Sequence, residues 1–204
     1  MNQFRNIVFL ICLISCSDKI KHSESININE TLSDSFTKDY KSIDTVRVID
    51  LEYLDWNTLK INNKLPLLTS KRELINLFGS IDSIVSPNYD EICVSYFDSG
   101  YKLLYLGLSV FEIKDTMSVI SSIDFESGNI RIFSPKIIFD KSTTFEEIKK
   151  VFPNSAKEAT QVVIENNRTV LSLKLATSKF ESDNAWILLF EGEKLIKFEY
   201  WMPC

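Results

Sequence analysis

From Val46 to the C-terminus the apolar residues come in short runs, and most runs are stopped by turn-forming residues. The stops are Ser99-Gly100, Lys114-Asp115, Ser127-Gly128-Asn129, Asn166-Asn167 and Gly192-Glu193, with a longer polar loop at Thr177–Asn184. Gly, Asn and Asp reach the left-handed backbone conformations that tight reversals need, so runs punctuated this way are expected to fold back as antiparallel strands. The predicted strands are Ile92–Asp98, Tyr101–Lys114, Thr116–Phe125 and Ile130–Phe133, then Gln161–Glu165, Thr169–Ala176, Ala185–Glu191 and Lys194–Met202. Gly107 interrupts the long second run and marks a bulge or a break. In the last run Ile196, Phe198, Tyr200 and Met202 alternate with Leu195, Lys197, Glu199 and Trp201. That alternation predicts two faces, one turned to the core.

Two segments carry a different period. Ser70 to Gly79 and Thr144 to Pro153 share the pattern Ser/Thr-x-x-Glu-Leu/Ile-x-x-Leu/Val-Phe-Gly/Pro. The hydroxyl residue with Glu three positions later (Ser70 with Glu73, Thr144 with Glu147) is a capping box. Apolar residues four, seven and eight positions after the cap make one helix face. Gly79 and Pro153 are expected to end the helices. Each helix precedes about four predicted strands. The expected fold class is α+β: tandem helix-plus-four-stranded antiparallel units, about 59–135 and 136–204, joined edge to edge with both helices on one face.

That element order resembles the beta-lactamase-inhibitor-protein-like fold, half of which is similar to small outer-membrane assembly lipoproteins. The resemblance covers about Leu59–Trp201 and implies no inhibitory residues. A single cystatin-like curved sheet wrapped on helices is the alternative.

The N-terminus carries a sharper motif. Ile7–Ile14 is an unbroken apolar run behind one cation, Arg5. As a helix it would be ~12 Å long, against a bilayer core of ~30 Å, which suits a signal-peptide core rather than a span. Leu13-Ile14-Ser15-Cys16 resembles the lipobox of bacterial lipoproteins, and the Ile, Asn, Lys, Ser and Phe bias is similar to that of AT-rich Bacteroidota genomes. The resemblance implies cleavage between Ser15 and Cys16, acylation of Cys16 by palmitate-type chains, and a mature protein held on the cell envelope, at the outer membrane. The chain then divides into a signal peptide (1–15), a lipidated flexible tether (16–45) and a globular domain (46–204). The tether is polar, as a solvated linker is, although Ile28, Leu32, Phe36 and Tyr40 recur every four residues and could line one side of a short helix.

Chemistry is sparse. The single His, His22, lies in the tether, so nothing in the globular part can activate a Ser or Cys as a His does. No His-Glu-x-x-His, Cys-x-x-Cys, EF-hand or glycine-rich phosphate loop occurs, and no cofactor or metal site is expected. The formal charge of −5 without a basic block argues against nucleic acid as a partner. Cys93 and Cys204 remain after the signal is removed and Cys16 lipidated. In an oxidising envelope they either pair or stay apart, one buried and one frayed. The carboxylate pairs Asp90/Glu91, Asp124/Glu126 and Glu146/Glu147 leave open a hydrolase that needs a cleft, or are turn and helix-surface residues. Trp186 and Trp201, with Lys197 and Glu199, form a candidate binding face on the last two strands, unless the tryptophans pack in the core.

The expected function is therefore a non-catalytic, lipid-anchored binding domain for an envelope protein or glycan. A structural or assembly lipoprotein of an outer-membrane complex is the alternative, and a carboxylate hydrolase a remoter one.

Overall fold

A computed structural model describes residues 52–89, 94–180 and 182–204, all within the unit Arg47–Cys204. The signal, the lipobox Cys16, the tether with His22, and Cys93 lie outside the described residues.

Both capping boxes form. Helix α1 (Lys71–Phe78) starts where the Ser70 hydroxyl accepts the Glu73 N–H at 3.1 Å and the Glu73 carboxylate accepts the Ser70 N–H. Helix α2 (Phe145–Val151) repeats this with Thr144 and Glu147. These bonds hold both carboxyls, Glu73 and Glu147, below the usual carboxylate range. Gly79, at φ 77°, ends α1. Pro153 does not end the second helical region but opens a further helix, α3 (Pro153–Lys157). A proline suits the first helical position because its missing N–H would have no partner there. The next two N–H groups, of Asn154 and Ser155, donate to the Glu52 carboxylate at 3.0 and 2.7 Å.

The strands, in chain order, are β1 (Lys60–Ile61), β2 (Leu65–Pro66), β3 (Leu68–Ser70), β4 (Ser83–Val85), β5 (Lys102–Leu106), β6 (Ser109–Lys114), β7 (Met117–Asp124), β8 (Ile132–Phe133), β9 (Ile138–Phe139), β10 (Thr160–Val163), β11 (Thr169–Ala176), β12 (Ala185–Glu191) and β13 (Lys194–Trp201). They form a small sheet, β2-β1-β8-β9, and a large antiparallel one, β10-β11-β12-β13-β7-β6-β5-β4. One edge of β7 is shared: Ser122–Asp124 pairs with β13, and Met117–Val119 pairs with β3. The chain is thus α+β, largely antiparallel sheet with a few short helices.

Several expected strands are revised. Tyr101–Lys114 is two strands reversed at Gly107-Leu108. Ile130–Phe133 shortens to β8, which leaves the large sheet for the small one. Val94–Asp98 is not strand; the other two residues of that expected run, Ile92 and Cys93, lie outside the described residues. The last run is strand as expected, but its alternation breaks. Phe190 pairs with Leu195 and Leu189 with Lys197, so Ile196 is an extra, bulged residue. Leu195 therefore joins Phe198 in the main core, while Ile196 turns to the opposite face beside Val170 and Leu189.

The main core lies on one side of the large sheet. Leu74 of α1 and Ile148 of α2 bury in the same cluster as Leu104, Phe111, Ile123, Leu173, Leu188 and Phe198. Trp186 belongs to this core and not to an exposed face. It is 0% exposed, stacks on Trp56 at 5.2 Å, and donates its indole N–H to the Leu54 carbonyl at 2.9 Å. The register explains the placement: Trp186 pairs with Tyr200, on the Leu188 side, whereas Trp201 pairs with Ala185.

Trp186→Ala should therefore cost about 3–5 kcal/mol of unfolding free energy. Urea unfolding of the mature protein measures it, and a loss below about 1 kcal/mol, the scale of surface substitutions, would contradict the core assignment.

Candidate functional site

The face of the large sheet opposite the helices carries the remaining predicted residues. Cross-strand pairing sets them in rows. Lys174, Ile187, Glu199 and Ser122 follow one another across β11, β12, β13 and β7. Ser172, Leu189, Lys197 and Asp124 form the next row. Trp201 ends β13 and is 38% exposed. The Lys174 ammonium sits 4.6 Å from its ring centroid, a cation–π contact that holds the indole on the sheet surface. Lys197 and Glu199, two residues apart on the same face, form an ion pair at 3.0 Å. Of the predicted face, then, Trp201, Lys197 and Glu199 come together, Trp186 does not, and Lys174 and Ile187 join them.

Toward the β10 edge the same face becomes apolar. Val170, Leu189 and Ile196 are buried there, with Val162, Ile164 and Ile187 packed around them. Beyond them Arg168 grips Glu191 at 2.8 Å and reaches Glu126 at 3.5 Å. The guanidinium beside Glu191 holds that carboxyl below its ordinary range.

Two of the three predicted carboxylate pairs have structural partners. Asp124 is buried and accepts the Ser127 N–H at 3.2 Å, while Glu126 turns to Arg168. Glu147 completes its capping box and Glu146 pairs with Lys149. Asp90 and Glu91 lie outside the described residues. Cys204 is disulfide-bonded, and its partner also lies outside them. Among the described residues no group of three or more His, Cys, Asp or Glu is placed to hold a metal ion, and no helix is long and apolar enough to cross a membrane.

One carboxylate stands apart. Glu112 of β6 is buried at 6% exposure and accepts the backbone N–H groups of Tyr96 and Phe97 at 2.9 and 3.4 Å. Lys114 donates to the Phe97 carbonyl at 3.4 Å, so β6 fastens this turn at two points. Burial pushes the Glu112 carboxyl up, and the two N–H groups pull it back only in part. An anionic side chain inside an alternating apolar run left no sequence signal of this role, because the turn that covers it is not adjacent in the chain. Lys174 was findable: it is the one charge in Thr169–Ala176 and faces outward by simple alternation.

Comparison with protein-family models, with curated proteins and with solved structures finds no match for the chain.

A carboxyl raised on folding contributes stability below its unfolded pKa and loses it as pH rises through the folded value. Glu112→Gln should therefore gain stability relative to the parent on going from about pH 4 to about pH 7. Urea midpoints at both pH values give the difference, and an equal effect at the two would show that the charge is not the cause.

Proposed function

We propose that the chain is a lipid-anchored envelope lipoprotein whose globular part is a binding module for an envelope protein or glycan. The carrying observation is the open sheet face, where the exposed Trp201 lies under Lys174 beside the Lys197–Glu199 pair. A rigid indole ringed by charges is the composition of a hot spot, with apolar area at the centre and polar groups at the rim. The lipobox Leu13–Cys16 supports the anchor, and a tether of polar residues ahead of Arg47 would let the module stand off the lipid.

Two units of related plan fit this reading: α1 followed by β4–β7, and α2 with α3 followed by β10–β13. Their joining at β7 and β13 is what produces a broad face for a partner. We take Cys93 as the partner of the bonded Cys204, since cleavage and lipidation leave it the one other cysteine of the sequence to pair with.

Two experiments test the reading. Cys16→Ala should release the protein from the membrane fraction of its host; retention there with unchanged mass argues against the anchor. Trp201→Ala should weaken capture of the envelope component bound by the parent by about thirtyfold, the usual effect of losing a hot-spot aromatic. Undiminished capture, with the unfolding midpoint unchanged, removes that face from consideration.

A further inference from the structure

At the end of the sheet where β13 begins, away from Trp201, five connections gather. They are the β1–β2 turn, the α1–β4 link, the β5–β6 turn, the β7–β8 loop and the β9–α2 loop. Two depressions lie among them, of 310 and 390 Å³, and Asn62 and Asn129 line both. Asn62, at φ 49°, is fixed between them: its amide donates to the Asn129 carbonyl at 3.3 Å and accepts the Arg131 N–H at 2.8 Å.

The two halves differ in chemistry. The first has Leu77 and Phe78 on one wall, with Ser80 and Asp82 beside them. The second is lined by Arg131 and Lys141. The Arg131 guanidinium stacks over Phe133 at 5.6 Å. Lys141 lies across Gly128, where a Cβ would meet its ammonium at 3.1 Å and where φ is +74°. Any other residue at 128 would displace the lysine and strain the turn. Neither cation forms an ion pair among the described residues. The nearby carboxylates are partly committed: Asp140 takes the Ser142 N–H and hydroxyl at 2.8 and 2.6 Å, with Arg131 helping to hold its charge, and Glu126 pairs with Arg168. Asp82 accepts the Gly107 N–H.

We propose that this groove binds a short acidic oligosaccharide. A sugar ring offers a C–H face to Phe78 and Leu77 and hydroxyls to Ser80, Asp82 and Asn129, while a carboxylate on the next ring sits between Lys141 and Arg131. Depressions of this size suit small ligands fixed by a few polar groups. An acid suits Lys141 and Arg131, which form no ion pair among the described residues. Nucleic acid fits less well, since the lining offers two cations, Arg131 and Lys141, to a regular series of phosphates.

The test is calorimetric titration of the mature protein with trigalacturonate, maltotriose and inorganic phosphate. Trigalacturonate should bind saturably and more weakly at high salt, with maltotriose much weaker. Lys141→Met should lower its affinity about tenfold or more, as loss of a charge-assisted hydrogen bond does, and Lys157→Met, an exposed cation on α3 outside both depressions, should leave it unchanged. Absence of saturable binding, equal affinity for maltotriose, phosphate binding as tight as trigalacturonate, or an unaltered Lys141→Met variant would each overturn the proposal. Sensitivity to Trp201→Ala instead would place the saccharide on the open sheet face.

Discussion

The pairing of β13 with β7 is the contact on which the rest of the architecture depends. Three register pairs, Lys197–Asp124, Phe198–Ile123 and Glu199–Ser122, join β4–β7 to β10–β13. Without them there would be two narrow sheets, each with free edges that invite pairing elsewhere. With them, Ile123 and Phe198 lie side by side in one core that takes in α1, α2 and the small sheet. Antiparallel sheets can keep one face toward water, and here a covered face and an open one follow from a single edge contact.

The aromatic residues are divided by that geometry. Trp56 is stacked between Trp186 and Tyr96, and Tyr200 meets its edge at 4.7 Å. This group closes the core beside the segment Glu52–Leu54, which itself bonds to the end of β11 at Ala176, while the Trp56 N–H donates to the Thr177 carbonyl just beyond it. Trp201, one residue beyond Tyr200, is on the other side of the sheet. Trp186 and Trp201, on adjacent strands, thus face opposite sides of the sheet, one packed in the core and one partly exposed, by pleat alone.

Some of this was legible in the chain. The capping boxes at Ser70 and Thr144 formed as read, because a cap is a local hydrogen-bond arrangement complete within four residues. Strands β11 and β12 have the limits their turns imply. The fold departs from the local pattern, or decides between its alternatives, where distant partners act. Pro153 opens a helix because Glu52 is there to receive its N–H groups. The bulge at Ile196 exchanges the faces of Leu195 and Ile196, which a strict two-residue period cannot show. Trp186 is internal because Leu54 offers its carbonyl across a sequence separation no motif spans.

The candidate sites divide the same way. Local composition settles that the globular part holds no histidine, that Cys16 follows a lipobox-like triplet, and that turns recur often enough to make antiparallel sheet. Those are properties of a few adjacent residues and their backbone preferences. Tertiary structure alone brings Lys174 over Trp201 and buries Glu112 beneath Tyr96 and Phe97. It alone gathers Asn62, Asn129, Arg131 and Lys141 around one groove. Each of these depends on strand register and on which loops share an end of the sheet, and register is fixed by the sum of core contacts rather than by any single segment.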